Sequence, residues 1–251
     1  SEIAHPDAIL VRSANMHDMP LPESVRAIGR AGAGVNNIPV PRMTELGVPV
    51  FNAPGANANA VKELVLAGML LAARNIAQSW LFARGLSGAD GEINRAVESG
   101  KKAFVGFELP GRTLGVIGLG AIGVLVANAA RALGMRVIGY DPTITVQRAW
   151  QLESDVQPAV SVDDLLSRSD FVTFHVPLTD ETRHMINAER LRTMKKGSVL
   201  LNFARHGIID DAAAVAALDS GQLYAYICDF PSNLLKDHPR VVTLPHLGAS
   251  T

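Results

Sequence analysis

Three apolar stretches late in this chain each deliver a residue with its own chemistry. Arg205 follows residues 198–203, Asp229 follows residues 224–228, and His246 follows residues 241–244 and Pro245. A guanidinium can grip a carboxylate bidentately. An imidazole can take or give a proton near neutral pH. A carboxylate can accept hydrogen bonds from an amide. Singly, each residue has an ordinary explanation: a solvated or ion-paired arginine, a packing histidine, a turn-forming aspartate. Their shared position after a strand is the informative part, because open α/β sheets bind ligands beyond the carboxyl ends of their strands.

An earlier segment supplies a partner for that chemistry. Gly118-Leu119-Gly120-Ala121-Ile122-Gly123 follows the apolar run 113–117, precedes a helix-like stretch at 124–133, and is followed by a second strand, 136–140, closed by Asp141. Strand, glycine turn, helix, strand and acid form a βαβ dinucleotide site. The first glycine permits the turn, the second admits the pyrophosphate and the third lets the helix pack on the strand. The positive helix N-terminus then faces the phosphates. Asp141 is placed to hold the adenosine ribose hydroxyls, which favours NAD over NADP. Asp229 is then a candidate acceptor for the nicotinamide carboxamide. His175, before Val176-Pro177, also ends a strand (171–174) and is read as lining the adenosine half. His184, His206 and His238 read as surface residues, and His5 and His17 have no evident partner.

The elements that must position these residues alternate. Strands are expected at 8–11, 48–51, 113–117, 136–140, 171–174, 198–203, 224–228 and 241–244. Helices are expected near 22–26, over 58–83, and after Asp210 or Asp211 as far as Gly221. Residues 85–111 read as a looser connection. This alternation predicts an α/β fold, a Rossmann-type doubly wound parallel sheet with a second, smaller domain, divided as 1–56 and 57–251. The long helix 58–83 carries apolar residues on more than one face and is expected to be buried between domains or in a dimer.

Composition narrows the classes. At 251 residues, 48% hydrophobic and 19% charged, the chain can bury a sizeable core. A formal charge of −1 gives no electrostatic case for nucleic acid or a membrane surface. The apolar stretch 61–73 holds Lys62 and Glu63 and is too short for a membrane span. The single cysteine, Cys228, excludes an internal disulfide framework and points to a reducing, cytoplasmic setting. It lies in an apolar run and reads as a buried thiol. No metal-ligating pattern is seen.

Several separated motifs resemble the D-isomer-specific 2-hydroxyacid dehydrogenases. They are Val11-Arg12-Ser13, residues 30–38, Asn52-Ala53-Pro54-Gly55, residues 118–123, His175-Val176-Pro177-Leu178-Thr179, Asn202-Phe203-Ala204-Arg205 and residues 245–251. The resemblance implies that Arg205 holds the substrate carboxylate and that His246 is the general acid/base. It implies a carboxylate-binding loop at Gly32, Ala33, Gly34 and Val35, with Arg12 and Ser13 toward a phosphate on the substrate. The cofactor contacts it implies are Gly118, Gly120, Ala121, Ile122, Gly123, Asp141, His175, Val176, Pro177, Thr182, Phe203, Ala204, Asp229 and Gly248.

Arg12 and the ending Gly248-Ala249-Ser250-Thr251 lean toward 3-phospho-D-glycerate as substrate, with 3-phosphohydroxypyruvate, the entry to serine synthesis, as product. Another 2-hydroxy acid, such as glycerate, or phosphite remains an alternative. So does a non-catalytic NAD-sensing scaffold like the C-terminal binding protein corepressors. The resemblance also implies a homodimer and a flavodoxin-like first domain, expected to be incomplete at both chain ends. One departure stands out: the family pairs its histidine with a glutamate, and the aligned position here is Leu234.

Overall fold

Strands joined by helical crossovers pair in parallel and are covered on both faces, so they read as unbroken apolar runs. A computed structural model describes residues 3–251, which divide into one unit reaching to Ala58 and another from Asn59 to Thr251.

In the first unit, β1 (Ala8–Val11), β2 (Ala27–Arg30) and β3 (Val50–Asn52) form a parallel sheet in that order. Helix α1 (Val40–Glu45) links β2 to β3, with Pro41 in its first turn, where a missing N–H costs nothing. Ile28 and Met43 are fully buried and centre a small core with Val11, Met16, Val25, Ile38 and Val48. The helix expected near 22–26 is a turn instead, closed by Val25 N–H donating to the Pro22 carbonyl. Arg26 N–H is drawn off to Asp7 as the chain enters β2. The local pattern there loses to strand pairing.

The second unit opens with helices α2 (Ala58–Ala73), α3 (Ile76–Arg84) and α4 (Asp90–Gly100) and a 3-10 turn (Lys101–Phe104). The single helix expected over 58–83 is therefore broken. Asn75 sits at a left-handed φ of 49°. Its side-chain NH₂ donates to the Phe104 and Val105 carbonyls, and its Oδ1 accepts from the Tyr224 hydroxyl at 2.9 Å. No glycine or proline marks the break; long-range partners satisfy it. One stripe of α2 is buried, through Val61, Val65, Met69 and Ala72. Leu70, Ile76, Trp80 and Leu81 are exposed, which corrects the expectation of burial all round. Residues 85–111 are also more ordered than expected. Helix α4 escaped notice because it carries no buried residue.

The remainder builds a seven-stranded sheet from β4 (Thr113–Ile117), α5 (Ala121–Ala132), β5 (Arg136–Tyr140), α6 (Val146–Ala149), β6 (Gln157–Pro158), α7 (Val162–Arg168), β7 (Phe171–Phe174), α8 (Ala188–Thr193), β8 (Ser198–Asn202), α9 (Asp211–Asp219), β9 (Leu223–Cys228) and β10 (Val241–Thr243). The spatial order is β10-β9-β8-β7-β4-β5-β6, with every pair parallel. The two faces carry separate cores. Along β8, Leu200 joins one core, while Val199 and Leu201 join the other, the strand period of two. Asp210 caps α9 by accepting from the Ala213 N–H at 3.1 Å. The chain runs outward from β4 to β6 and then returns to β7 on the far side of β4. The topological switch point thus lies between β4 and β7. No helix among the described residues is long and apolar enough to cross a membrane.

Candidate active site

The register of the large sheet aligns the predicted residues. Tyr140, Ile117, Phe174, Asn202, Cys228 and Thr243 are successive neighbours across β5, β4, β7, β8, β9 and β10. One residue further on, the same carboxyl edge presents Asp141, Gly118, His175, Phe203 and Asp229. Asp141 and Asp229 are four strand spacings apart, roughly 19 Å. The row brackets the switch point, where a ligand can lie across the strand ends.

At the switch point Gly118 has φ +91°, a conformation that L side chains rarely adopt, and a Cβ there would press within 2.8 Å of the His175 backbone. A Cβ on Gly123 would overlap the Gly118 carbonyl, so this glycine lets α5 close onto β4. Gly120 differs: a Cβ there would meet nothing within 4 Å. It is exposed, it begins α5, and no side chain caps that helix. The first-turn N–H groups of Ala121, Ile122 and Gly123, which have no intrahelical acceptor, therefore remain for an anion.

Asp141 locks this turn to β5. Its Oδ2 accepts from the Leu119 N–H at 2.8 Å, and its Oδ1 accepts from the Thr143 N–H and hydroxyl at 2.9 and 3.0 Å. Beside it lies a pocket of about 410 Å³ whose walls include Ile144, Leu152, Val156 and Val160. An uncapped helix N-terminus, an acid and an apolar pocket in line fit a dinucleotide's phosphates, ribose and adenine.

On the other side of Gly118, His175 follows β7. Its Nε2 lies 3.2 Å from the Thr173 hydroxyl, and its Nδ1 is buried without a partner. Burial of the ring pulls its pKa from 6.5 to about 3, so the imidazole is neutral in ordinary conditions. Val176 packs against Gly118. Thr182 secures the next loop, donating its hydroxyl to the Pro177 carbonyl at 2.7 Å and accepting from the Thr179 N–H at 2.8 Å.

Arg205 leaves β8 through a short loop held by a residue given no role from sequence. Buried Asn202 accepts the Ala204 N–H on Oδ1 at 3.2 Å and donates from Nδ2 to the Arg205 carbonyl at 2.9 Å. Arg205 Nη1 in turn donates to the Ala204 carbonyl at 2.7 Å. Phe203 turns its ring inward onto Gly68 of α2, so it faces a ligand only with backbone.

Asp229 is 1% exposed, and three consecutive backbone N–H groups converge on it. His246 N–H donates to its carbonyl at 3.2 Å, Leu247 N–H to Oδ1 at 2.9 Å and Gly248 N–H to Oδ2 at 2.8 Å. This clamp holds His246 at φ +55° and leaves its side chain exposed at the sheet edge. The His246 ring packs edge-on against Phe230, with centroids 5.3 Å apart.

No carboxylate among the described residues pairs with His246. Leu234 is exposed, Asp237 is paired with Lys236 at 2.7 Å, and Asn233 makes no bond to the imidazole. Sequence reasoning also missed the pair formed by His206 Nε2 and Asp211 Oδ2 at 3.5 Å, with the Ser232 hydroxyl donating to the same oxygen. Their only sequence signal was proximity to Arg205.

Within the first unit, Val11 pairs with Arg30, and Arg30 with Asn52. Arg12 and Ser13 after β1, and Gly32, Ala33, Gly34 and Val35 after β2, thus leave the same edge side by side. Gly32 has φ +145°, and a side chain there would collide with the Arg30 guanidinium. Two asparagines shape this edge: Asn52 donates to the Ala33 carbonyl at 2.7 Å, and Asn37 donates to the Ala14 carbonyl at 2.9 Å.

Comparison with known proteins adds to this geometry. Residues 67–248 match the model of the D-isomer-specific 2-hydroxyacid dehydrogenase NAD-binding domain. A D-3-phosphoglycerate dehydrogenase of Methanocaldococcus jannaschii is 42% identical over all of this chain and 47% of its own length. A hydroxypyruvate reductase of Thermotoga maritima is 39% identical over 98% of this chain and 78% of its own. Among solved structures, D-mandelate dehydrogenase of Rhodotorula graminis superposes with a TM-score of 0.81 at 29% identity, covering 97% of this chain and 74% of its own. The chain spans about half the length of the phosphoglycerate dehydrogenases it matches.

Proposed function

The chain belongs to the D-isomer-specific 2-hydroxyacid dehydrogenases, with NAD as cofactor, and on that premise we propose that it interconverts 3-phospho-D-glycerate and 3-phosphohydroxypyruvate. The observation that carries the reading is the convergence of Arg205, His246 and the Gly118–Asp141 turn on one carboxyl edge. The glycine turn and the α5 N-terminus would hold the pyrophosphate, Asp141 the adenosine ribose, and the pocket beside it the adenine. When bound, NAD supplies the acceptor for the hydride that leaves C2 of the hydroxy acid.

The chain's own residues do the rest. Arg205 grips the substrate carboxylate and fixes C2. His246 withdraws the 2-hydroxyl proton during oxidation and returns it during reduction. The Asp229 clamp and the Asn202 brace fix the backbone from which these two side chains project before substrate arrives, a preorganisation of the kind that raises rate rather than affinity alone. For the first unit, the reading assigns the backbone of Gly32, Ala33, Gly34 and Val35 to the carboxylate, and Arg12 with Ser13 to the phosphate end.

The phosphorylated substrate is supported by the names of relatives about 40% identical to this chain. On this reading the product would enter serine synthesis, and the lone buried Cys228 is consistent with a reducing, cytoplasmic setting. The exposed Leu70, Ile76, Trp80 and Leu81 of α2 and α3 support a homodimer formed through these helices.

The hydroxypyruvate reductase similarity supports a second reading, an unphosphorylated 2-hydroxy acid. NADH oxidation with a panel of 2-oxo acids separates the readings. A kcat/KM for 3-phosphohydroxypyruvate at least tenfold above that for hydroxypyruvate supports the first, and the reverse order supports the second. Tight NADH binding without turnover of any member contradicts both and favours a sensor.

A further inference from the structure

The carboxylates of Asp229, Asp211 and Asp237 each have partners other than the His246 ring. Asp229 accepts the Leu247 and Gly248 N–H groups. Asp211 meets the Ser232 hydroxyl and His206, and Asp237 meets Lys236. What touches the His246 ring is Phe230, edge-on at 64°. On its other contact Phe230 meets the His206 ring, 6.5 Å away at 63°. Pro231 restrains the Phe230 backbone to extended conformations, and the Phe230 carbonyl accepts from the buried Cys228 thiol at 3.6 Å. Asp229 thus sets the backbone of His246, and the very next residue sets its ring.

We propose that Phe230 is the positioning residue for His246, an aromatic wall that orients the imidazole by edge-to-face packing and is itself backed by the Asp211-anchored His206. The inference rests on the proposed acid/base role of His246 and goes beyond it by naming what holds the ring. Edge-to-face pairs have a preferred geometry, so an aromatic neighbour restricts ring rotation, without supplying the charge that a hydrogen-bonded acid would. Loss of the ring leaves the His246 backbone clamped and its imidazole free to turn. The effect belongs in kcat, because orientation of the reacting proton matters only once substrate is bound.

The test uses the whole protein with F230L, F230Y and H206A, following 3-phosphohydroxypyruvate reduction and the His246 imidazole proton resonances by NMR. F230L is expected to lower kcat about tenfold to a hundredfold with KM and NADH affinity within about twofold, and to shift the His246 resonances. F230Y is expected to restore both, and H206A to fall between wild type and F230L. Wild-type kcat and unshifted His246 resonances in F230L would overturn the proposal, as would an F230Y variant no better than F230L. The NMR arm reads the coupling without turnover. A wild-type protein that reduces no 2-oxo acid therefore defeats only the functional reading, and the positioning role then stands or falls on the resonance shift.

Discussion

Asp229 and His246 are joined by a backbone bond, the His246 N–H donating to the Asp229 carbonyl at 3.2 Å, while the Asp229 carboxylate takes the next two N–H groups in line. One buried acid thereby fixes a loop whose first residue holds a left-handed conformation unusual for histidine. Asp229→Ala removes two charge-assisted acceptors and strands their donors, so it should destabilise the protein by about 2–4 kcal/mol. Asp229→Asn keeps one acceptor and should cost about half as much. Urea unfolding of the two variants checks the order. A loss below about 0.5 kcal/mol for the alanine variant would show that the clamp is idle.

The glycines of the turn have separable duties. Gly120→Ala adds a methyl group into open space on a permitted backbone, so the melting temperature should stay within about 2 °C of wild type. On the proposed reading that methyl group would stand where the pyrophosphate approaches, and the Kd for NADH should rise at least tenfold. Gly123→Ala forces a collision with the Gly118 carbonyl and should lower the melting temperature. Calorimetry and NADH fluorescence titration distinguish the two. Equal thermal losses in both variants would contradict the assignment.

Both the reach and the limit of sequence reasoning show at these positions. The placement of Gly118, Gly120, Gly123 and Asp141 was legible because a strand, a tight turn and a helix N-terminus follow one another at fixed spacing in a local βαβ unit. Arg205, Asp229 and His246 were legible because parallel strands bury both faces, which leaves polar residues conspicuous where each run ends. Asn75 was not legible: it breaks an uninterrupted helical pattern through bonds to residues 29, 30 and 149 positions away. Nor was the duty of Asp229 as a clamp, since its donors lie 17 to 19 residues further on. Helix α4 was missed because its apolar stripe is short, Ile93, Ala96 and Val97 alone among polar residues and glycines, and none of its residues is fully buried.

His175 should set an acid limit on stability. Its folded pKa, about 3, lies below the ordinary 6.5, so between those values the unfolded chain binds a proton that the native protein refuses. Above pH 6.5 the group is neutral in both states and contributes no pH dependence. As pH falls from 6.5 toward 3, stability drops by up to about 1.4 kcal/mol per unit. His175→Asn should remove that slope, so the wild type should lose about 2 kcal/mol more than the variant between pH 7 and pH 5. Parallel slopes in urea titrations would rule out a buried neutral imidazole.

Cys228 should behave as a packing residue. Burial raises its thiol pKa from 9.0 to about 11, so very little thiolate is present at pH 8. Ellman's reagent should label it only after denaturation. Labelling of the folded protein within minutes would contradict its place in the core.

The central claim is that His246 moves the proton while the strand-end row holds the cofactor independently of it. Replacing His246 with Gln, which keeps a polar side chain on the clamped backbone, tests this most directly when kcat and the Kd for NADH are measured on the same preparation. The account predicts a loss of at least about a thousandfold in kcat for 3-phosphohydroxypyruvate reduction, with NADH affinity within about twofold of wild type. A variant that retains more than a tenth of wild-type turnover, or one that loses NADH affinity in parallel with rate, would contradict it.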